Sequence, residues 1–481
     1  MKNESFRLIK LEIENHQFLN KISIDFIEDK KYSNHLNNPF TTLIIGSNGT
    51  GKSQILRIII DIFKELESHK YPDKELRTRR IPKYNYELKY QINDNVYVVA
   101  SRGKANKKCL KNYEVIKIDN LELPNRLLAS SFMVNDKHLY SNNDFYKYLG
   151  IRSVENAAFT KGFAKNVANE ILEATDRSTF ICNLKKTLEF LGYDHFLKIT
   201  YKLRIPKRLR EEASIENLHS YLETKSNSQA PLSTIYKSLT NEEIQNIIRL
   251  LNNRANDKFI EYNILSENGF NKNHQKEHEL LQVLQKLRLV SSPVIEVKKG
   301  QTFGLTDASS GESHFIFSMF RIIANIKDNS LVLIDEPEIS LHPNWQMKYI
   351  YALNNIFSNY SSCHFILATH SHFMISDLEK DSSSIITLRF ESDKGIQAIT
   401  HKENTYGWTA EDILYNVFKV PTIRNYYLAN EVGEILSAIS QKNRDIDEIE
   451  KRVRKLKEIN TNLKEIDPMK RIIDKIIGKF D

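Results

Sequence analysis

Apolar and polar positions alternate along Phe6 to Ile13 and again along Lys21 to Phe26. That is the spacing of paired, half-buried strands. Thr41 to Ile45 is a short apolar run ending at a glycine, which predicts a buried strand. Gln54 to Leu66 then places Ile55, Ile58, Ile59, Ile62 and Leu66 at helical spacing. Tyr84 to Ile92 and Val96 to Ala100 alternate once more, joined by the turn sequence Asn93-Asp94-Asn95. These patterns predict an antiparallel sheet layered on an α/β core. From about Phe145 to Leu289 the chain turns polar, charged and mostly helical in pattern, with a loop expected around Ser226 to Pro231. Beyond Pro293 strand-like and helix-like segments alternate again, and Ser330 to Ile334 and His364 to Ala368 are apolar runs of strand length. The expected organisation is one α/β domain split into 1–150 and 291–400, a helical insertion over 151–290, and a helical tail over 401–481.

Composition narrows the class. The chain has 481 residues, enough for several structural units and a well-buried core. Hydrophobic residues at 41% and charged residues at 27% argue against disorder and collagen-like repeats. The most apolar stretch, Ile55 to Phe63, is interrupted by Arg57 and Asp61 and is too short to cross a bilayer. Met1 to Glu4 shows no signal-peptide core, so a cytoplasmic location is expected. Cys109, Cys182 and Cys363 lie far apart, which leaves no disulfide framework and no CxxC metal site.

The net charge of +8 is unevenly spread. Between Lys64 and Lys111 stand thirteen lysines and arginines against six aspartates and glutamates, a local excess of seven. Arg77, Arg79 and Arg80, and Arg102 to Lys108, make this stretch a candidate DNA surface, since cations that neutralise phosphates release counterions. Tyr84, Tyr86, Tyr90 and Tyr97 between them have the spacing of sheet packing rather than base stacking. Lys202, Arg204, Lys207, Arg208 and Arg210 form a second basic cluster.

Gly46-Ser47-Asn48-Gly49-Thr50-Gly51-Lys52-Ser53 satisfies G-x-x-x-x-G-K-[ST]. Backbone N–H groups of such a loop wrap a β-phosphate, and the helix that follows adds its partial positive charge. Lys52 is expected to reach the β- and γ-phosphates of ATP and Ser53 to bind Mg²⁺. An apolar strand before the loop and an amphipathic helix after it are the required context.

Ser330 to Ile334 ends in Asp335-Glu336. Asp335 is expected to complete the Mg²⁺ shell beside Ser53, and Glu336 to orient or deprotonate the attacking water. Ile366 to Thr369 is another strand, ending at His370, which is expected to contact the γ-phosphate. Upstream, Ser309-Ser310-Gly311-Glu312 opens a helical pattern through Phe315, Phe317, Phe320 and Ile323. Hydroxyls and N–H groups at a helix N-terminus suit an anion.

These four elements, in this order, resemble the ABC-type ATPases, in the subset holding the SMC, RecF and OLD families, over roughly 1–150 and 290–400. Ala308-Ser309-Ser310-Gly311 departs from the Leu-Ser-Gly-Gly signature of that class, and Ser340-Leu341-His342-Pro343 lacks its usual aspartate. Both departures look like the OLD-related defence ATPases. Gln91 lies within a predicted strand, so it does not identify a glutamine loop. Tyr406 to Phe418, and Leu149 to Arg152, look similar to segments of the Septu antiphage ATPase family, PtuA, and its retron-associated relatives.

The resemblance implies a homo-oligomer, dimeric or higher, in which Ser309, Ser310 and Gly311 complete the partner's ATP site. It also implies a partner nuclease of the HNH type, PtuB-like. The stretch from Lys52 to Asp335 is too short for long coiled-coil arms, and nothing after His370 resembles a Toprim nuclease. Asp445, Asp447, Glu448 and Glu450 are interleaved with basic residues and read as a solvated face. Ile446, Ile449, Val453, Leu456 and Leu463 suit either a coiled-coil seam or packing within the tail. Three functions stay open: an ATP-hydrolysing subunit of an antiphage complex whose nucleotide state controls a nuclease acting on DNA; an ATP-binding scaffold that releases a toxic effector on infection, PARIS-like; and a RecF-like repair ATPase.

Overall fold

The computed structural model describes residues 5–27, 38–71, 82–103, 106–131, 143–150, 161–174, 178–226, 235–236, 238–266, 272–376, 378–379, 381–401, 405, 407–408, 412–414, 417, 426–440, 446–461, 463 and 468–479. Arg77, Arg79, Arg80, Lys104, Ile151, Arg152, Tyr406 and the expected loop over 227–231 lie outside them. The chain divides into two compact units, Met1–Trp408 and Thr409–Asp481.

The first unit begins with β1 (Phe6–His16), β2 (Asn20–Asp25), β3 (Phe40–Gly46) and α1 (Lys52–Lys70). Next come β4 (Asn85–Ile92), β5 (Asn95–Arg102), β6 (Asn106–Lys111), β7 (Glu114–Ile116), β8 (Arg126–Ser131) and β9 (Tyr146–Tyr148). A middle segment holds α2 (Lys161–Ala174), α3 (Ser178–Phe190), β10 (Leu197–Lys202), α4 (Lys207–Glu211), α5 (Ile215–Ser226), α6 (Asn241–Asn253), β11 (Phe259–Asn263) and α7 (Lys272–Lys286). The return half runs β12 (Val294–Lys299), β13 (Gln301–Gly304), α8 (Ser310–Asn325), β14 (Ser330–Asp335), α9 (Pro343–Met347), α10 (Tyr349–Ile356), β15 (His364–Thr369), β16 (Ser383–Glu391) and β17 (Gly395–His401).

The central sheet has the order β17-β16-β3-β15-β14-β8-β9. From β16 to β9 every pairing is parallel, and only β17 is antiparallel. Parallel strands covered on both faces need continuous apolar runs, and every residue of β3, β14 and β15 is buried. The register sets Thr369 beside Ile45, and Asp335 beside both Ala368 and Ser131. The carboxyl ends of β3, β15, β14 and β8 therefore meet at one edge, where open parallel sheets bind ligands.

A second sheet, β2-β1-β4-β5-β6-β7, is antiparallel. The helix α1 is packed between the two: its Ile55, Ile59, Ile62 and Phe63 share a core with Leu8 and Tyr90 of one sheet and Leu333 and Ile366 of the other. Tyr90 and Tyr97 are stacked at 5.3 Å within that core, so these tyrosines are sheet packing. Part of the basic stretch is also spent internally. Lys107 pairs with the buried Glu65 at 2.6 Å, Lys111 with Glu122 at 3.1 Å, and Lys64 sits over the Tyr146 ring.

The segment expected to be helical also holds strands. β10 and β11 join β12 and β13 in an antiparallel sheet of order β11-β10-β12-β13. β10 and β11 are only six and five residues long, and their partners lie far off in sequence, so their alternation is weak until paired. Arg321 of α8 ties this segment to the core. It bridges Glu170 of α2 at 2.7 Å and donates to the Gly150 and Tyr148 carbonyls.

In the second unit α11 (Tyr426–Ser440), α12 (Ile446–Asn460) and α13 (Pro468–Ile477) share a core of Leu428, Val432, Ile435, Ile449, Val453, Leu456, Ile473 and Ile476. Ile449, Val453 and Leu456 thus pack within their own unit. Among the described residues no helix is long and apolar enough to cross a membrane.

Candidate functional site

The loop between β3 and α1 is held by its own side chains. The Thr50 hydroxyl donates to the Ser47 carbonyl at 2.8 Å. A Cβ on Gly46 would stand 2.6 Å from the Leu388 carbonyl oxygen and 2.7 Å from the Thr50 hydroxyl, so only glycine fits. Gly51 caps α1 in the left-handed region at φ 92°, where glycine pays no Cβ penalty.

The Lys52 ammonium donates to the carbonyls of Gly46 at 2.9 Å and Ser47 at 3.3 Å, and to Nδ1 of His370 at 3.2 Å. It is thus satisfied by weak neutral partners that a phosphate can replace. Burial lowers its pKa to about 8, against the pull of Glu336, Glu338 and Asp335. The Ser53 hydroxyl donates to Asp335 at 2.9 Å. Asp335 is buried at the tip of β14.

Glu336 follows at φ 50°, a left-handed conformation that is costly for a side chain with a Cβ. Its N–H donates to the Ala368 carbonyl at 2.8 Å. Its carboxylate lies 3.7 Å from Nε2 of His370. Burial, then Asp335 and Glu338, push the Glu336 pKa up, which suits a base. Burial, then Lys52, push His370 down, so its imidazole is biased toward the neutral form. Lys52, Ser53, Asp335, Glu336 and His370 are therefore brought together from three strand ends.

Ser309, Ser310 and Gly311 form a second group. The Ser309 hydroxyl caps α8 by accepting from the Glu312 N–H, and it donates to the Glu312 carboxylate at 3.0 Å. Lys299 holds that carboxylate at 2.9 Å. Ser309 and Ser310 are exposed and Gly311 is buried. A Cβ on Gly311 would meet the Ser340 carbonyl oxygen at 2.3 Å. The signature loop is thus packed on the segment that follows the acidic strand.

Three contributors carry no signal in the sequence. Glu338 accepts the His370 N–H, and burial raises its pKa. Gln346 accepts from the Ser371 hydroxyl at 2.7 Å, tying α9 to the segment after β15. Phe18, in the turn between β1 and β2, lies beside Gly51 yet is 53% exposed. That turn is held by Nδ1 of His16, which accepts from the Phe18 and Leu19 N–H groups at 3.1 Å.

Ser53 and Asp335 supply hard oxygen donors in direct contact, which fits Mg²⁺. Among the described residues no group of three or more His, Cys, Asp or Glu side chains is arranged to hold a metal ion.

A family model described as AAA ATPase domain matches residues 7–375. The "Retron Vc95 probable ATPase" of Vibrio cholerae serotype O1 biovar El Tor is 23% identical over 419 residues, 78% of this chain and 73% of that protein. The "Septu protein PtuA" of Bacillus thuringiensis is 26% identical over 116 residues, 24% of this chain and 28% of that protein. Among solved structures, the SMC head domain from Thermotoga maritima is 12% identical, covering 82% of this chain and 100% of that one at a TM-score of 0.38.

Proposed function

The chain belongs to the AAA ATPase domain family, and from that premise we propose that it is the ATP-hydrolysing subunit of an antiphage complex, its nucleotide state controlling a partner nuclease that acts on DNA. The observation that carries the hydrolytic part is the 2.9 Å contact of Ser53 with Asp335, with Lys52, Glu336 and His370 around it. The retron and Septu names of the two relatives support the defence setting.

In this mechanism the loop over 46–53 wraps the β-phosphate and Lys52 exchanges its carbonyl partners for phosphate oxygens. Ser53 and Asp335 are the residues that would hold Mg²⁺, which would supply positive charge against the phosphates. Glu336 accepts a proton from water as the water oxygen bonds to the γ-phosphorus and the bond to the β–γ bridging oxygen breaks. His370 holds Glu336 and Lys52 in place. Ser309, Ser310 and Gly311 act on the ATP of a second copy, so closure follows ATP binding.

Phage challenge with the neighbouring gene present tests this function. Lys52→Ala and Glu336→Gln are each expected to abolish protection. Full protection by both variants would overturn it.

A further inference from the structure

A cleft of about 760 Å³ opens in the middle segment, well away in sequence from the phosphate loop. Its wall includes Lys202 and Arg204 at the end of β10, Arg288 after α7, Phe259 of β11, Val294 of β12 and Phe317 of α8. Among the described residues no acidic side chain lines it. The carboxylates of the same sheet are spent elsewhere: Glu261 and Glu296 pair with Lys198 at 3.0 and 3.1 Å. Among the described residues Lys202, Arg204 and Arg288 form no ion pair.

Two further observations single out this cleft. Phe259 is 50% and Val294 47% exposed, an apolar patch beside these cations. Arg288 stands at φ 62° just beyond the α7 C-terminus, a position that favours glycine or asparagine. An arginine held there against its backbone preference points to use of its side chain. Guanidinium groups suit phosphate, exposed aromatic rings suit a nucleobase, and the volume is that of a small-molecule site. The volume also exceeds what a bare phosphate fills.

We propose that this cleft is a second nucleoside-phosphate site, distinct from the ATP site, with Lys202, Arg204 and Arg288 on the phosphate and Phe259 against the base. The same chemistry is offered by a free nucleotide and by the 5′-phosphorylated end of a nucleic acid. Thr306 lines the cleft three residues before Ser309, and Phe317 belongs to the signature helix. A ligand here therefore touches the element that carries the signature loop.

The test uses the full chain carrying Lys52→Ala, which weakens the phosphate loop, with fluorescent adenosine 5′-monophosphate and a fluorescent 5′-phosphorylated dinucleotide as probes. Saturable binding is expected, at least tenfold weaker with Arg204→Ala and with Arg288→Gly. The Arg288→Gly variant relieves the backbone, so its thermal midpoint should not fall, which separates weakened binding from misfolding. Tighter binding of the mononucleotide assigns the site to a free nucleotide; tighter binding of the dinucleotide assigns it to a nucleic-acid end. Saturable binding of neither probe, or binding that both substitutions leave unchanged, overturns the proposal.

Discussion

Lys52 carries its charge at a cost. Burial holds its pKa at about 8 instead of 10.5. The free protein therefore loses this charge progressively as the pH rises through about 8, whereas a bound phosphate favours the ammonium. ATP binding between about pH 8 and 9 is expected to take up a proton, with affinity falling as the pH rises. Calorimetric titration in two buffers of different ionisation heat checks this; equal apparent enthalpies would contradict it. The grouping of the candidate residues was legible in sequence for a simple reason. Strand ends fix Gly46, Asp335 and Thr369 at one sheet edge, so motif and geometry coincide. Glu338 and Phe18 were not legible, because each acquires its role only through a residue distant in sequence, His370 for the first and Gly51 for the second.

Between elements, the burden falls on a few close approaches. Gly311 lets α8 approach the segment after β14, and an alanine Cβ would stand 2.3 Å from a backbone oxygen. Gly311→Ala is expected to cost about 1–3 kcal/mol, read as a lower urea midpoint. An unchanged midpoint would show that the segment yields freely. Arg321 is almost fully buried and satisfies Glu170 together with two backbone carbonyls. Arg321→Ala leaves that carboxylate unpaired and should cost about 3–5 kcal/mol, measured the same way. The long apolar runs β3, β14 and β15 and the periodic helix α1 were readable because each buries itself whatever its partner. β10 and β11 were not, because short strands make sense only beside β12. The tail seam was readable as apolar spacing, but its partners α11 and α13 emerged only in the folded unit.

At the scale of the whole molecule, exposed Ser309 and Ser310 at the start of α8 suit a second copy's ATP. With Glu336→Gln to slow turnover, sedimentation should show an ATP-dependent dimer, and Ser309→Arg should abolish it. A monomer at every nucleotide concentration would contradict shared sites. The basic stretch is weaker than its charge suggests, since Lys64, Lys107 and Lys111 have internal partners and Tyr90 and Tyr97 are buried. The proposed DNA contact there would rest on the remaining cations. Neutralising Arg77, Arg79 and Arg80 tests that proposed contact through the salt dependence of DNA affinity. The slope should become shallower by about 0.9 for each DNA phosphate that the protein no longer neutralises. The proposed function turns on hydrolysis at one sheet edge. ATP turnover by Glu336→Gln beside the unsubstituted chain is the most direct measurement. Turnover is expected to fall about 10²–10⁴-fold with ATP affinity retained; turnover unchanged by the substitution would contradict Glu336 as the base and the mechanism with it.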